Sequence, residues 1–355
     1  MYNYGAGPAA NEAEIVVFGP GYGEAIAVHF GDGCWLLVDS CLTPSNKAPA
    51  SIDYLNRINV PLANVRTIVA SHWHDDHVKG LADMVAACPN ASLQISGVFN
   101  DREALAFLSA HGGEAAAVHT GGTKELYKAI SLATSKSFLL QKSLILEDRN
   151  IQGRSMRAVA FSPTPEASAQ FIAHVARYIP QVSGAMQHAP DLKPNLEAVV
   201  ISIDLGGDGI LLGSDLENHN ELGWSAIIGD AWCLSNQRAS AYKIAHHGSE
   251  TGDHSNIWTD LLEAKPVAVL TPFIRGQHRL PNIGDKSRIV GRTGAAFISS
   301  DGSKRPQLDV GLFKQMALLG KNITPTSTGF GAVRFRKVLG ATDWAVNLFG
   351  QAVKL

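Results

Sequence analysis

The stretch Ser71-His72-Trp73-His74-Asp75-Asp76-His77 places three histidines and two aspartates within the six positions from His72 to His77. Imidazole and carboxylate are ligands for divalent transition metals, and alternate residues of one loop can converge on one ion. The plain alternative is a solvated polar turn, but histidine is an uncommon way to solvate a loop and metal binding is its commonest clustered use. The sequence therefore predicts a metal site here. Position supports it. Residues 65–70, Val-Arg-Thr-Ile-Val-Ala, form an apolar, β-branched run that reads as a buried strand, and residues 78–87 have helical spacing of apolar residues. The cluster thus sits on the loop leaving the carboxyl end of a strand, where layered α/β proteins place their chemistry.

Further chemistry-bearing residues stand at other strand ends. Two apolar runs within 14–30 flank a Gly/Pro turn and predict a hairpin, followed by a strand over 34–40 that ends at Asp39. Helices are predicted over 49–57, where Pro49 starts the first turn, and over 101–111, with a strand over 92–98 between them. His111 and His119 stand alone beside Gly-rich turns and read as non-ligands, and His188 as a spare ligand, a substrate contact or neither. The pattern from 123 to 194 is weak apart from an amphipathic helix over 165–179, with Phe171, Ile172, Val175 and Ile179 on its inner face. A hairpin of apolar strands follows, joined by Gly206-Gly207-Asp208-Gly209 and ending at Asp215. The run Ala241-Tyr242-Lys243-Ile244-Ala245 then leads into His246-His247-Gly248-Ser249. Side chains of neighbours on an extended strand end point apart, so His246 and His247 are not expected on one ion. His278 follows the strand over 267–272 and reads equally as a site-facing group or a surface histidine. A helix over 307–319 and strands over 331–336 and 344–348 close the chain.

His72-x-His74-x-Asp76-His77 after a strand resembles the signature of the metallo-β-lactamase-fold hydrolases. The opening run to Asp39, the Ser214-Asp215 strand end, His246-His247-Gly248-Ser249 and the His278-to-Pro281 loop more closely resemble the metallo-hydrolase domain of ComEC-type competence proteins. Two departures stand out: Glu24 where that family has Asp, and Asn195 where most of the superfamily has a histidine ligand, a replacement that ComEC-type domains share. The resemblance covers nearly the whole chain, least so the helical insertion near 165–190. It implies one domain over 1–355 of class α/β, a four-layer αββα metallo-β-lactamase sandwich.

It also implies two divalent ions, zinc ahead of manganese. His72, His74 and Asp215 would hold the first, near Asn195, and Asp76, His77, His246 and Asp215 the second. Asp39 and Asp75 would support the loop from behind, although Asp39 also reads as a simple strand-end carboxylate. Asp76, His247 and His278 would serve catalysis, with Asn195 and Ser249 touching substrate. The activity implied is metal-assisted cleavage of a phosphodiester in nucleic acid or a small nucleotide, using water whose pKa the ions lower. The alternatives are a carboxyl-ester, thioester or lactam hydrolase, or a metal-stabilised binding or sensing protein.

Composition narrows the partners. The 355 residues are 45% hydrophobic and 17% charged with a formal net charge of −2, which argues against strong non-specific attraction to nucleic acid while leaving room for a local basic patch. No apolar run approaches the roughly 20 residues that span a bilayer. The N-terminus lacks the basic head and apolar core of a signal peptide. Cys34, Cys41, Cys88 and Cys233 are scattered, which favours free thiols over disulfides or ligands. A cytoplasmic location without a membrane partner is expected; composition does not fix an oligomeric state.

Overall fold

The computed structural model describes residues 2–20, 22–112, 121–149, 153, 155–178, 194–301 and 329–355. The central strands are near-continuous apolar runs, such as Ala25–His29, Trp35–Val38 and Gly209–Leu212, so each offers two apolar faces that must both be covered. Among the described residues they assemble into two eight-stranded sheets. The first runs in the order Ala345–Gly350, Gly331–Val338, Glu12–Gly19, Ala25–His29, Trp35–Val38, Val65–Ala70, Ser92–Ser96, Lys136–Leu139. The second runs Val353–Lys354, Ala296–Ile298, Leu262–Leu270, Ala239–Lys243, Gly209–Leu212, Ile201–Asp204, Ser155–Ala160, Leu144–Arg149.

Alternation along single strands shows how the layers form. On Glu12–Gly19, Ile15 and Val17 face inward and meet Ile201, Ile203, Ile210 and Leu212 of the other sheet. Their neighbours Val16 and Phe18 face outward, against Tyr54, Leu81, Met84 and Leu126 of the covering helices. The second sheet does the same with Leu211, Tyr242 and Ala268, which pack against Trp224, Ile227 and Ile257. The result is the expected αββα order. Each sheet also contains a parallel block, Trp35–Val38, Val65–Ala70, Ser92–Ser96 and Lys136–Leu139 in one, and Gly209–Leu212, Ala239–Lys243, Leu262–Leu270 and Ala296–Ile298 in the other. Loops at the carboxyl ends of both blocks meet on one edge of the sandwich, and the site is built there.

The strand at Val65–Ala70 and the helices Ala50–Arg57 and Arg102–Gly112 lie where the sequence places them, within a residue or two. Three strands do not follow from the sequence pattern: Lys136–Leu139, Leu144–Arg149 and Ser155–Ala160. The expected insertion begins as the helix Pro165–Val175, whose first turn is closed by Thr164 Oγ1 accepting from Ala167 N at 3.2 Å, and continues as a 3-10 turn over Ala176–Tyr178. Phe171 and Val175 are buried as expected. Ile179, His119, His188 and the helix over 307–319 lie outside the described residues. All four cysteines are buried free thiols. No helix among the described residues is long and apolar enough to cross a membrane.

Candidate metal centre

Residues 71–74 continue the strand Val65–Ala70 as extended chain, so side chains alternate. Trp73 turns outward into the helical layer, its ring 5.1 Å from Phe99 and 4.9 Å from Phe171. That anchor turns His72 and His74 together to the other side, with His72 Nε2 3.1 Å from His74 Nδ1. The short helix Asp75–Val78 then brings Asp76 and His77 round to the same edge. Asp75 opens that helix, half-buried, beside the start of the helix Gly121–Leu132.

Asp39 holds the loop from the neighbouring strand. It is fully buried and accepts from Ser71 N at 2.7 Å and from Ser71 Oγ at 2.7 Å, and His77 Nδ1 lies 2.7 Å from its Oδ2. The carboxylate is acceptor-only when ionised, so this partner pattern assigns the His77 proton to Nδ1 and leaves Nε2 as a lone pair. Ser71 Oγ donates to Asp39 and in turn accepts from His72 Nδ1 at 3.1 Å, which likewise assigns the lone pair of His72 to Nε2.

The second sheet supplies the opposing groups. Asp215 Oδ2 lies 3.3 Å from His77 Nε2 and 3.2 Å from His247 Nε2, and Asp76 Oδ2 lies 3.2 Å from His247 Nε2. Thr271 fixes His247 from behind: its carbonyl oxygen is 3.1 Å from His247 Nδ1 and its hydroxyl 3.2 Å. Among the described residues, three groups of such side chains lie close together; in one of them, Glu24, Asp39 and His77, the groups are already engaged, Asp39 with His77 and Glu24 with Lys243. The other two meet at the loop edge. Asp76, His77, Asp215 and His247 each present one donor atom, all within 4.8 Å of one another, and so do His72, His74 and Asp215. Asp215 belongs to both.

Charge and satisfaction agree with that geometry. Burial alone would raise the Asp76 and Asp215 carboxyls, but the histidines facing them hold both well below the usual carboxylate range. Burial alone would lower His247; Asp215 and Asp76 outweigh it and bring its pKa up to about 9. His77 is likewise raised by Asp215, Asp76 and Asp39 against its burial. His72 goes the other way, lowered by burial and by His77 and His74. His77 Nε2, His247 Nε2, Asp76 Oδ2 and Asp215 Oδ1 are buried and carry no geometrically formed hydrogen bond. Buried polar atoms converging from four side chains without hydrogen-bond partners cost stability, and a cation would meet the carboxylates and take the Nε2 lone pairs of the two rings by displacing their protons. A divalent ion fits this donor set in type and number.

The placement of two histidines differs from expectation. His247, expected to face substrate, lies 1% exposed inside the cluster. His246, expected in it, is turned aside: its Nδ1 is 2.8 Å from Ser249 Oγ and 3.1 Å from Thr251 Oγ1, and its Nε2 is 3.3 Å from Asn195 Nδ2. The reason is local. His246 and His247 adopt left-handed backbone at φ +45° and +53°, so the alternation of an extended strand does not apply to them. Asn195 is buried, its amide nitrogen donating to Glu217 Oε1 at 2.7 Å while its Oδ1 is left without a hydrogen-bond partner. Ser249 caps the next turn from beside His246. His278 is exposed on a separate hairpin beyond Thr271.

Two residues that the sequence reading gave no role complete the surroundings. Lys243 Nζ is wholly buried, 2.7 Å from Glu24 Oε1 and 3.8 Å from Asp215 Oδ1, and donates to the Ser214 carbonyl at 2.9 Å. Glu24 Oε2 accepts from Thr271 Oγ1 at 2.6 Å. A lysine inside an apolar strand was the available signal for this pair.

Residues 18–96 match the model of the metallo-beta-lactamase superfamily, a segment that holds Asp39 and the whole 71–77 loop. No curated protein matches the chain. Among solved structures it is similar to the metallo-beta-lactamase fold protein YhfI from Bacillus subtilis, at 11% identity and TM-score 0.40 over 81% of this chain and 95% of that one. It is also similar to Zn(2+)-bound PqqB from Methylobacterium extorquens, at 12% identity and TM-score 0.35 over 78% of this chain and 84% of that one. A third is the Cronobacter sakazakii metallo-beta-lactamase with a HARLDQ motif, at 15% identity and TM-score 0.33 over 64% and 76%. The two-sheet architecture with its helical layers is the metallo-β-lactamase sandwich. The superfamily segment and the His/Asp clusters together support a metal-dependent hydrolase in general.

Proposed function

We propose that the chain is a two-metal phosphodiesterase acting on nucleic acid or a small nucleotide, of the ComEC-type kind that its motifs resemble. The observation that carries this reading is Asp215, whose carboxylate belongs to both donor clusters. A shared carboxylate is how paired ions are held close, and paired ions are the usual solution for in-line displacement at phosphorus. His72, His74 and Asp215 would hold one ion, with the unpartnered Asn195 Oδ1 as a further oxygen donor. Asp76, His77, His247 and Asp215 would hold the other. The preponderance of imidazole favours zinc over manganese. Bound there, the ions would lower the pKa of water and stabilise negative charge on the attacked group.

The chain's own residues do the rest. Asp39 holds the His77 proton at Nδ1, and the Thr271 carbonyl holds that of His247 at Nδ1, so both rings present Nε2 to the cluster. With His247 inside, substrate contact would pass to His246, whose side chain is 19% exposed, with the buried Ser249 holding it from behind. Asn195 Nδ2 donates to His246 Nε2, which places the His246 proton at Nδ1, toward Ser249 and Thr251.

The test is hydrolysis of bis(p-nitrophenyl) phosphate, single- and double-stranded DNA, cyclic dinucleotides, a chromogenic lactam and a chromogenic ester, with zinc and manganese supplied separately. Phosphodiester turnover that disappears in Asp76→Ala is the expected result. Turnover of lactam or ester alone would overturn it in favour of carboxyl chemistry. Bound metal with no turnover would overturn it in favour of a binding protein.

A further inference from the structure

Just past Thr271, which holds His247, the chain forms a hairpin of Phe273–Arg275 and His278–Leu280, paired Phe273 with Leu280, Ile274 with Arg279 and Arg275 with His278. Gly276 at φ +61° starts its two-residue turn, a conformation that suits glycine. Cross-strand partners share a face and successive residues alternate, so Phe273, Arg275, His278 and Leu280 lie on one side and Ile274 and Arg279 on the other. Contacts identify the first side as the one toward the metal centre. The Phe273 ring is 5.3 Å from that of His247 and 5.3 Å from that of Tyr22. The Arg275 guanidinium sits 5.5 Å over the Tyr22 ring and donates to its hydroxyl at 3.3 Å.

The hairpin is a local basic feature in a chain of net charge −2. From 272 to 284 the sequence contains Arg275, His278 and Arg279 and no acidic residue. All three are exposed. Arg288, on the next helix, contrasts with them: its guanidinium is paired with Asp253 at 3.0 Å and Asp285 at 2.7 Å. Arg275 is held by a ring face and a phenol instead, and no ion pair occupies it among the described residues. An arginine oriented this way keeps donors available for a planar or tetrahedral oxyanion.

We propose that Arg275 and His278, with the half-buried Tyr22 and Phe273 rings beside them, form a subsite for the phosphate and base flanking the scissile linkage of a single-stranded nucleic acid. Stacking on such rings tolerates any base, and the guanidinium takes the backbone charge. The inference rests on the phosphodiesterase reading and narrows its substrate from any phosphodiester to a strand with at least two phosphates. Arg279, on the opposite face, is the built-in control.

The experiment measures binding of a 5′-fluorescein-labelled ten-nucleotide single-stranded DNA by anisotropy, over a range of salt, to the full chain carrying Asp76→Asn in zinc-supplemented buffer. Arg275→Ala and Arg279→Ala are compared in that background. The same two substitutions in the otherwise unaltered chain are assayed on bis(p-nitrophenyl) phosphate and on the oligonucleotide. Arg275→Ala should weaken binding about tenfold and lower the slope of log affinity against log salt by about 1. Arg279→Ala should stay within about threefold. The loss of kcat/KM in Arg275→Ala should be about tenfold larger on the oligonucleotide than on the single-phosphate ester. Equal effects of the two arginines, equal losses on the two substrates, or no binding by the parent chain would each overturn the subsite. Binding that depends on Arg275 without any phosphodiester turnover would overturn the catalytic reading and leave the subsite standing.

Discussion

Glu24 Oε1 and Lys243 Nζ form a 2.7 Å ion pair between the two sheets, with both side chains wholly shielded from solvent. Lys243 reaches toward Asp215 on one side, and Glu24 receives the Thr271 hydroxyl on the other, so the pair backs both Asp215 and His247. Burial alone would lower the Lys243 pKa, but Glu24 and then Asp215 outweigh it and raise the value, so the ammonium persists. Its charge offsets the three carboxylates of Glu24, Asp215 and Asp39 gathered around it.

Removing one half of this pair should therefore cost more than removing both. Lys243→Met leaves the Glu24 carboxylate buried and uncompensated and is expected to lose about 3–5 kcal/mol in denaturant unfolding. Adding Glu24→Gln should restore much of that loss. If the double variant is no more stable than Lys243→Met, the pair is not the reason for the cost.

Metal stoichiometry should separate the roles of the carboxylates. Equilibrium dialysis with zinc, followed by elemental analysis, should give two ions for the parent chain and a loss at both sites for Asp215→Ala. Asp76→Ala and His72→Ala should each lose one, from opposite clusters. Equal stoichiometry in Asp215→Ala and Asp76→Ala would rule out the shared carboxylate.

His29 provides a pH dependence away from the metal centre. Its Nδ1 donates to the Glu12 carbonyl at 2.9 Å and its Nε2 accepts from Gly33 N at 3.0 Å, and burial lowers its pKa to about 4. The unfolded chain, titrating near 6.5, binds the proton more readily between those values, so stability falls as pH drops from about 6.5 to about 4 and is unaffected by this group above. The shift corresponds to about 3 kcal/mol. His29→Gln should be less stable than the parent near pH 8, and the difference should shrink through that window as the parent loses its advantage. A constant difference from pH 8 to pH 4 would refute the assignment.

Gly122 tests how closely the metal loop is braced. A Cβ there would fall 2.0 Å from the Trp73 carbonyl oxygen and 3.2 Å from Asp75 Oδ1. Glycine to alanine in a helix ordinarily stabilises by about 1 kcal/mol. Here the sign should reverse: Gly122→Ala should lower the melting temperature and weaken zinc binding, because His72 and His74 flank Trp73. A melting temperature at or above that of the parent would show that the loop can yield.

What the sequence disclosed follows from physical contrast. The strand Val65–Ala70, buried except at Arg66, was legible because four of its six side chains are apolar and Val65, Thr67, Ile68 and Val69 are β-branched. Lys136–Leu139 and Leu144–Arg149 were not, because each is the outermost strand of its sheet and carries the polar residues that an edge requires. Spacing alone gathered His72, His74, Asp76 and His77 on one loop. It could not orient His246 and His247, whose directions depend on left-handed backbone that no periodicity encodes. Nor could it pair Glu24 with Lys243, which are 219 positions apart in number (243 − 24) and meet only when the sheets pack.

The donor atoms are divided between the sheets: His72, His74, Asp76 and His77 follow a strand of the first, and Asp215 and His247 follow strands of the second. Ions seated among them would act as rivets through the sandwich, and the coupling runs both ways. Any motion that slides one sheet over the other would pull the donors apart, and extraction of the ions with a chelator would loosen the seam itself. Amide hydrogens of Leu36–Val38 and Ile210–Leu212, far apart in the chain and lining the same core between the sheets, should then begin to exchange together.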